Sequence, residues 1–243
     1  MHSVKLEIAN CVFEIKTVYL RKYDVFTDFL TDKPADAHID ISEGDIMQVR
    51  RSFENVYGHR TDWNGYYEFF AIQRQIANAL VDYNTILIHG AVIAVKDNAF
   101  LFTAPSGIGK TTHIRKWLAN IPEAFVVNGD KSFIKVDEEK NVWAFGAPWA
   151  GKENMYTNTM VPLKSIILME RSENNQIKRI AFSEAIFFLL QQTYRPKDEN
   201  KLRKTIKLLQ RLNDQVSLWG FKCNNFKEDC FSIAFNALMR NQK

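Results

Sequence analysis

The chain has 243 residues, 46% of them apolar and 25% charged, with 32 basic and 28 acidic side chains and a formal net charge of +4. This composition excludes a disordered chain and is enough for one large domain or two small ones. The slight positive balance does not predict nucleic-acid binding, and the longest apolar run, Ala185 to Leu190, is far too short to span a membrane.

In chain order, Val4 to Ile8 and Cys11 to Ile15 predict two strands joined by a tight turn at Ala9-Asn10. No signal peptide is expected, because Met1 to Asn10 mixes Lys5 and Glu7 with apolar positions. Asp24 to Gly44 is polar and interrupted by Pro34, with room for one short strand near His38 to Ile41, and Ile46 to Arg50 suggests another. Tyr66 to Val81 carries a wide apolar stripe at helical spacing, with Asp62 or Asn64 as candidate caps.

Ile86 to Val95 has continuous strand character broken only at Gly90, and Lys96-Asp97-Asn98 predicts a tight turn into the apolar strand Asn98 to Thr103. A glycine-rich loop, Ala104 to Gly109, and a helix ending near Asn120 follow. Phe125 to Val127 predicts a strand ending in Asn128-Gly129-Asp130. Ser132 to Val136 and Val142 to Phe145 form a hairpin, Gly146 to Thr159 a loop, and Leu163 to Met169 a strong strand. Helices are expected at Ser183 to Gln192, Lys201 to Leu212 and about Asn225 to Met239, with a short strand at Val216 to Leu218. The odd set of Cys11, Cys223 and Cys230, with no C-x-x-C pair, argues against a disulfide framework or a zinc site and for a reducing cytoplasm.

Ser106, Gly107, Ile108, Gly109, Lys110, Thr111 and Thr112 carry the phosphate-touching half of a Walker A loop, with Ala104 where the first Gly of that pattern stands. Such a loop wraps backbone N–H groups around a polyphosphate, its Lys reaches the β- and γ-phosphates, and its hydroxyl holds Mg²⁺. Ala at the first position requires a negative φ there. The hairpin leading into the loop sets it apart from folds whose loop strand has only parallel neighbours.

Three further residues are candidates. Asp130 ends a buried strand about twenty residues after Lys110, a Walker B-like placement, and suits a metal ligand, a proton acceptor or both; its bland alternative is an Asx turn. His89 ends a strand expected to pair with the loop's own strand, and suits phosphate orientation or proton shuttling, or simply a strand kink bonded to backbone. Lys152, after Gly151 in the second loop, suits charge stabilisation at the transferring phosphoryl group, with Glu153 holding it or aiding the metal, unless the loop is merely anchored by Trp149. The basic residues from Lys197 to Arg211 read as a solvated helix face over an apolar side of Leu202, Ile206, Leu209 and Leu212, or else as a site for an acidic partner.

A His-Gly strand, a hairpin, a P-S-G-x-G-K-T loop, a strand ending in Asp and a later P-W-x-G-K loop, in that order over roughly residues 85 to 172, resemble HPr kinase/phosphorylase and its short relatives, including lasso-peptide kinases. That family shares a nucleotide-binding core with phosphoenolpyruvate carboxykinases. The resemblance implies an α/β fold with a mixed, largely antiparallel sheet, ATP and Mg²⁺ as cofactors, and transfer to a Ser hydroxyl of a peptide or small protein. It implies Lys110 on the β/γ-phosphates, Thr111 on Mg²⁺, Asp130 as the active-site acid, His89 at the nucleotide pocket and Lys152 on a loop that closes over the phosphates. Where HPr kinases carry adjacent acids, Asp130 has Gly129 and Lys131 as neighbours.

The expected organisation is an N-terminal α+β region, residues 1–84, packed on or accessory to a kinase core of residues 85–243. A small-molecule kinase and a non-catalytic nucleotide-binding module are the alternative functions. No nucleic-acid or membrane partner is expected, and homo-oligomerisation stays open.

Overall fold

A computed structural model of the chain describes residues 2–21, 24–227 and 229–240. The chain divides into two compact units, Met1–Tyr83 and Asn84–Lys243.

In the first unit, strands β1 (His2–Ile8) and β2 (Cys11–Thr17) form the expected hairpin. Its two turn residues, Ala9 and Asn10, both have positive φ, the conformation that a two-residue turn between right-twisted strands requires. Strand β3 (Ala37–Asp40) joins β2 in parallel. Residues 46–50 are helical, contrary to the expected strand. They lie in α1 (Glu43–Tyr57), which Ser42 and Asp45 start with a reciprocal capping box. Ile46 and Val49, its two buried residues, are spaced three apart, which is a helix period and not a strand period.

Helix α2 (Asn64–Leu80) has Trp63 at its N-cap with no side-chain cap. The expected caps serve Arg50 instead, Asn64 accepting at 3.3 Å and Asp62 at 3.4 Å. Glu68 of α2 is fully buried, and its carboxylate accepts the backbone N–H groups of Val18, Tyr19 and Leu20 at 2.5 to 2.9 Å, which compensates its burial.

The second unit contains β4 (Thr85–His89), β5 (Ala91–Val95), β6 (Asn98–Thr103), α3 (Lys110–Asn120), β7 (Ala124–Asn128), β8 (Lys131–Val136), β9 (Val142–Phe145), β10 (Met160–Arg171), β11 (Gln176–Arg179), α4 (Phe182–Gln192), α5 (Glu199–Asn213), β12 (Ser217–Cys223) and α6 (Asp229–Arg240). It is a mixed α/β fold. Among the described residues the β6–β10 and β10–β12 pairs are parallel, and the other pairs of this unit are antiparallel. Glu228, inside the helix expected over 225–239, lies outside the described residues. Residues 224–227 form a turn before α6. The strand expected at 216–218 runs on to Cys223 because it pairs along β10 through Arg171. No helix among the described residues is long and apolar enough to cross a membrane.

The run from Ile86 to Val95, continuous in sequence apart from Gly90, serves two sets of partners. β4 pairs with β8, and β5 pairs with β6 and β7. Gly90 is the corner. Its N–H donates to the Asp130 carbonyl at 2.7 Å, and the Thr103 hydroxyl donates to the carbonyl of His89 at 2.7 Å. A Cβ at Gly90 would lie 2.7 Å from Leu101 Cδ1 and 2.9 Å from the Phe102 carbonyl oxygen, so only glycine lets the two strands pass at this distance.

β10 joins the two groups of strands. Its first residues pair with β9, and after a bulge between Leu163 and Ser165 it continues alongside β6. One core, including Ile88, Val92, Leu101, Ile134 and Ile166, also packs against Leu189 of α4 and Leu208, Leu209 and Leu212 of α5. A second core sets Phe100, Phe102 and Ile167 against Ile114 and Trp117 of α3 and Ala234 and Leu238 of α6. On α5 the buried positions are Thr205, Leu208, Leu209 and Leu212, so Leu209 and Leu212 lie inward as expected, while Leu202 and Ile206 are half-buried.

Replacing Gly90 by Ala forces either Leu101 or the Phe102 backbone to shift. Gly90→Ala is expected to lower the unfolding free energy by about 1–3 kcal/mol, the usual cost of overpacking, as measured by urea titration followed by circular dichroism.

Candidate functional site

Strand β6 delivers the chain into the loop at Ala104, which is fully buried. Ala104 keeps a negative φ, so its methyl group is tolerated where the pattern has glycine. The positive values fall at Gly107 (φ 83°) and Gly109 (φ 112°), the N-cap of α3. The loop carbonyls are held by donors from several directions. The Lys110 ammonium donates to Ala104 O at 2.7 Å and to Pro105 O at 3.3 Å. Arg171, at the end of β10, donates to Gly107 O at 2.8 Å, and the Asn225 amide donates to Gly109 O at 3.0 Å. With these four carbonyls occupied, the backbone N–H groups at the start of α3 face an anion site on the positive end of the helix.

Lys110 is only 8% exposed. Burial pushes its ammonium below the ordinary lysine range, and the charge of Asp130 opposes that shift. Among the described residues no carboxylate forms an ion pair with it.

Strand β7 carries the chain to Asp130. The turn is made by Asn128, not by Asp130. The Asn128 side-chain oxygen accepts the N–H of Asp130 at 3.0 Å and of Lys131 at 2.9 Å, while its amide donates to Ala147 O at 2.9 Å. The Asp130 carboxylate is thus free of the turn and meets His89 Nε2 at 3.3 Å. Burial alone would push the Asp130 carboxyl up. The hydrogen bond and charge of His89, with the charges of Lys131 and Lys110, outweigh it and hold the group below the ordinary carboxylate range.

His89 reaches this position by a different route from the one expected. Its strand, β4, pairs with β8 and not with β6, and His89 stands opposite Lys131 in that ladder. The other ring nitrogen, Nδ1, lies 2.9 Å from Gln192 Oε1 at the end of α4. Both nitrogens therefore face oxygen atoms, which fixes the ring plane.

The second loop is anchored by Trp149, 2% exposed and edge-on to Phe133 at 6.2 Å. It brings Gly151 against Asp130. At φ 79°, a Cβ on residue 151 would stand 2.9 Å from Asp130 Cβ. Lys152 follows immediately and is exposed. Glu153 pairs with Arg115 of α3, the helix that the phosphate loop begins.

The structure thus brings His89, Asp130 and the Gly151 turn together, and places the buried Lys110 where the charge of Asp130 acts on it. Arg171, Gln192, Asn225 and Arg115 complete the surroundings. No sequence pattern signalled them, because each lies between 38 and 116 residues from its partner.

No family model matches the chain, and no curated protein matches it. Among solved structures it is similar to the HPr(Ser) kinase/phosphatase from Coxiella burnetii, with 11% identity, a TM-score of 0.38 and an alignment covering 65% of this chain and 99% of that one.

Because the folded state depresses the Asp130 carboxyl, the folded protein holds fewer protons there than the unfolded chain. The associated stability is complete above the unfolded value, about 3.9, and is lost as pH falls through the lower folded value. The stability difference between the wild type and Asp130→Asn is therefore expected to shrink between pH 7 and pH 2 in urea titrations. A difference independent of pH would show that the carboxylate is not held by these partners.

Proposed function

We propose that the chain is an ATP-dependent phosphotransferase acting on a hydroxyl group, with a Ser hydroxyl of a peptide or small protein as acceptor. The single observation that carries this reading is the buried Lys110 ammonium. Among the described residues it is bonded to two carbonyls of its own loop, at the N-terminus of α3 and within the field of an ionised carboxylate. A buried ammonium without a carboxylate partner is costly, and a polyphosphate supplies the missing negative charge.

In this reading the N–H groups of Gly107 to Thr112 and the Lys110 ammonium hold the β- and γ-phosphates. The Thr111 hydroxyl and the Asp130 carboxylate are hard oxygen donors of the kind that suits Mg²⁺, which when bound would neutralise phosphate charge. Asp130, with Oδ1 engaged by His89, has Oδ2 left to orient the acceptor hydroxyl and take its proton as the bond to phosphorus forms. His89 keeps that carboxylate ionised and aimed, held in turn by Gln192. Lys152, exposed beside Gly151, is the cation that approaches the phosphoryl group from solvent.

One carboxylate at this place supports transfer in the forward direction, where a single proton is removed from the acceptor. The Ser-containing acceptor is the one the motif resemblance implies.

The test is incubation with labelled ATP, Mg²⁺ and a pool of Ser-containing peptides. Lys110→Ala is expected to lower both nucleotide affinity and transfer by about 10²–10³-fold. Asp130→Asn is expected to keep nucleotide affinity within a few-fold and to lose transfer by about 10²–10⁴-fold. Binding without transfer to any peptide would favour a nucleotide-binding module. Transfer undiminished in Lys110→Ala would refute the reading.

A further inference from the structure

On the buried face of α3, three groups that sequence spacing does not connect converge. They are His113 of α3, Cys223 at the end of β12 and Cys230 in the first turn of α6, all buried, with their donor atoms within 4.8 Å of one another. The sulfurs lie 3.0 Å apart, about 1 Å beyond the covalent length of about 2.05 Å. The odd number of cysteines and the lack of a C-x-x-C pair argue against any such site in the sequence; the fold supplies it by closing the 224–227 turn.

Two chemistries suit a His and two Cys, a soft metal ion or a dithiol. The hydrogen bonds of His113 decide between them. Its Nε2 accepts the indole N–H of Trp117 at 3.0 Å. Indole only donates, so Nε2 carries no proton and the proton of the neutral ring sits on Nδ1. Nδ1 points at Cys230 Sγ, 3.6 Å away. A metal-bound histidine normally donates its second N–H, which the Trp117 indole forbids here. The ring is therefore set to donate to a sulfur and not to ligate.

The arrangement favours a thiolate at Cys230. The Cys223 S–H beside it pulls the Cys230 thiol below its ordinary range, burial opposes this, and the His113 N–H adds to the lowering. The same contact and burial push Cys223 up. Cys230 also stands at the N-terminal end of α6, where the helix dipole favours negative charge.

The pair is linked to the phosphate loop through a single side chain. The Asn225 oxygen lies 3.2 Å from Cys223 Sγ and 3.4 Å from Cys230 Sγ, while its amide donates to Gly109 O. We propose that Cys223 and Cys230 are a reversible dithiol, oxidised by hydrogen peroxide or a related hydroperoxide, whose disulfide withdraws Asn225 from Gly109 and loosens the phosphate loop.

In the first step the Cys230 thiolate attacks one peroxide oxygen. An S–O bond forms, the O–O bond breaks, and the hydroxide that leaves takes the proton Cys230 had released. In the second step Cys223 attacks the Cys230 sulfur. The S–S bond forms, the S–O bond breaks, and the leaving hydroxide departs as water with the Cys223 proton. Two thiols and one peroxide give one disulfide and two waters, each sulfur losing one electron to peroxide oxygen. Joining the sulfurs brings them about 1 Å closer together and leaves no S–H to hold the Asn225 oxygen, so the side chain loses the anchor that aims its amide at Gly109 O. Peroxide is a small oxidant, and the turn beside the buried pair carries the exposed Phe226.

The test uses the reduced, full-length wild-type protein, treated with peroxide, then alkylated under denaturing conditions and weighed intact and as peptides. The expected result is a Cys223–Cys230 crosslink lighter by two hydrogens, with Cys11 still alkylated and the crosslink reversed by dithiothreitol. Amide hydrogen exchange at residues 106–111 is expected to quicken several-fold on oxidation, and Asn225→Ala is expected to show that faster exchange already when reduced. Stoichiometric zinc in the reduced protein, released on Cys223→Ser, would overturn the proposal. So would the absence of the crosslink, or loop exchange that ignores it. None of these readouts involves nucleotide, so they stand apart from the outcome of the transfer assay.

Discussion

The second unit turns on the corner at Gly90. One continuous apolar run is divided there between two sets of strand partners because no side chain stands in the way of Leu101 and the Phe102 backbone. The strand before the corner carries His89, and the strand after it pairs with β6, which delivers the phosphate loop. The corner's own N–H is bonded to the carbonyl of Asp130. The three parts of the candidate site thus meet at one place through backbone geometry before any side-chain interaction is considered.

Electrostatics then act on that frame. Asp130 is one carboxylate among His89, Lys131 and Lys110, and the hydrogen bond from His89 together with the neighbouring charges outweighs its burial. Lys110 is buried, and among the described residues its partners are two loop carbonyls. Among the described residues no carboxylate forms an ion pair with the buried Lys110 ammonium, and that deficit has the sign of a polyphosphate. The carbonyls of Ala104, Pro105, Gly107 and Gly109 are occupied by Lys110, Arg171 or Asn225, which turns the amides at the start of α3 toward an incoming anion. The same Asn225 connects this loop to Cys223 and Cys230, so the bonds that shape the anion site also expose it to the oxidation state of the cysteine pair.

Much of this was legible in the sequence where the signal is local. The hairpin across Lys96-Asp97, the glycine loop and the helix beginning at its lysine follow from turn residues and periodicity over short windows. The strand expected at Ile46 to Arg50 was misread because so short an apolar segment fits both periods, and the capping box at Ser42 settles it as helix. Gly90 was visible only as an interruption. Which strands it separates is a question of non-local pairing, and no local pattern encodes that β4 joins β8. Gln192, Arg171 and the His113–Cys223–Cys230 cluster were invisible for the same reason, each contact spanning a long stretch of chain.

The central claim is that the loop from Ala104 to Thr112 binds the phosphates of a nucleotide through Lys110. An experimental structure of the protein with Mg²⁺ and a non-hydrolysable ATP analogue tests it most directly. The account predicts the triphosphate on the N–H groups at the start of α3, with the Lys110 ammonium moved from the carbonyls of Ala104 and Pro105 to the β- and γ-phosphate oxygens. A nucleotide bound elsewhere, or Lys110 still on its two carbonyls at saturating analogue, would contradict it.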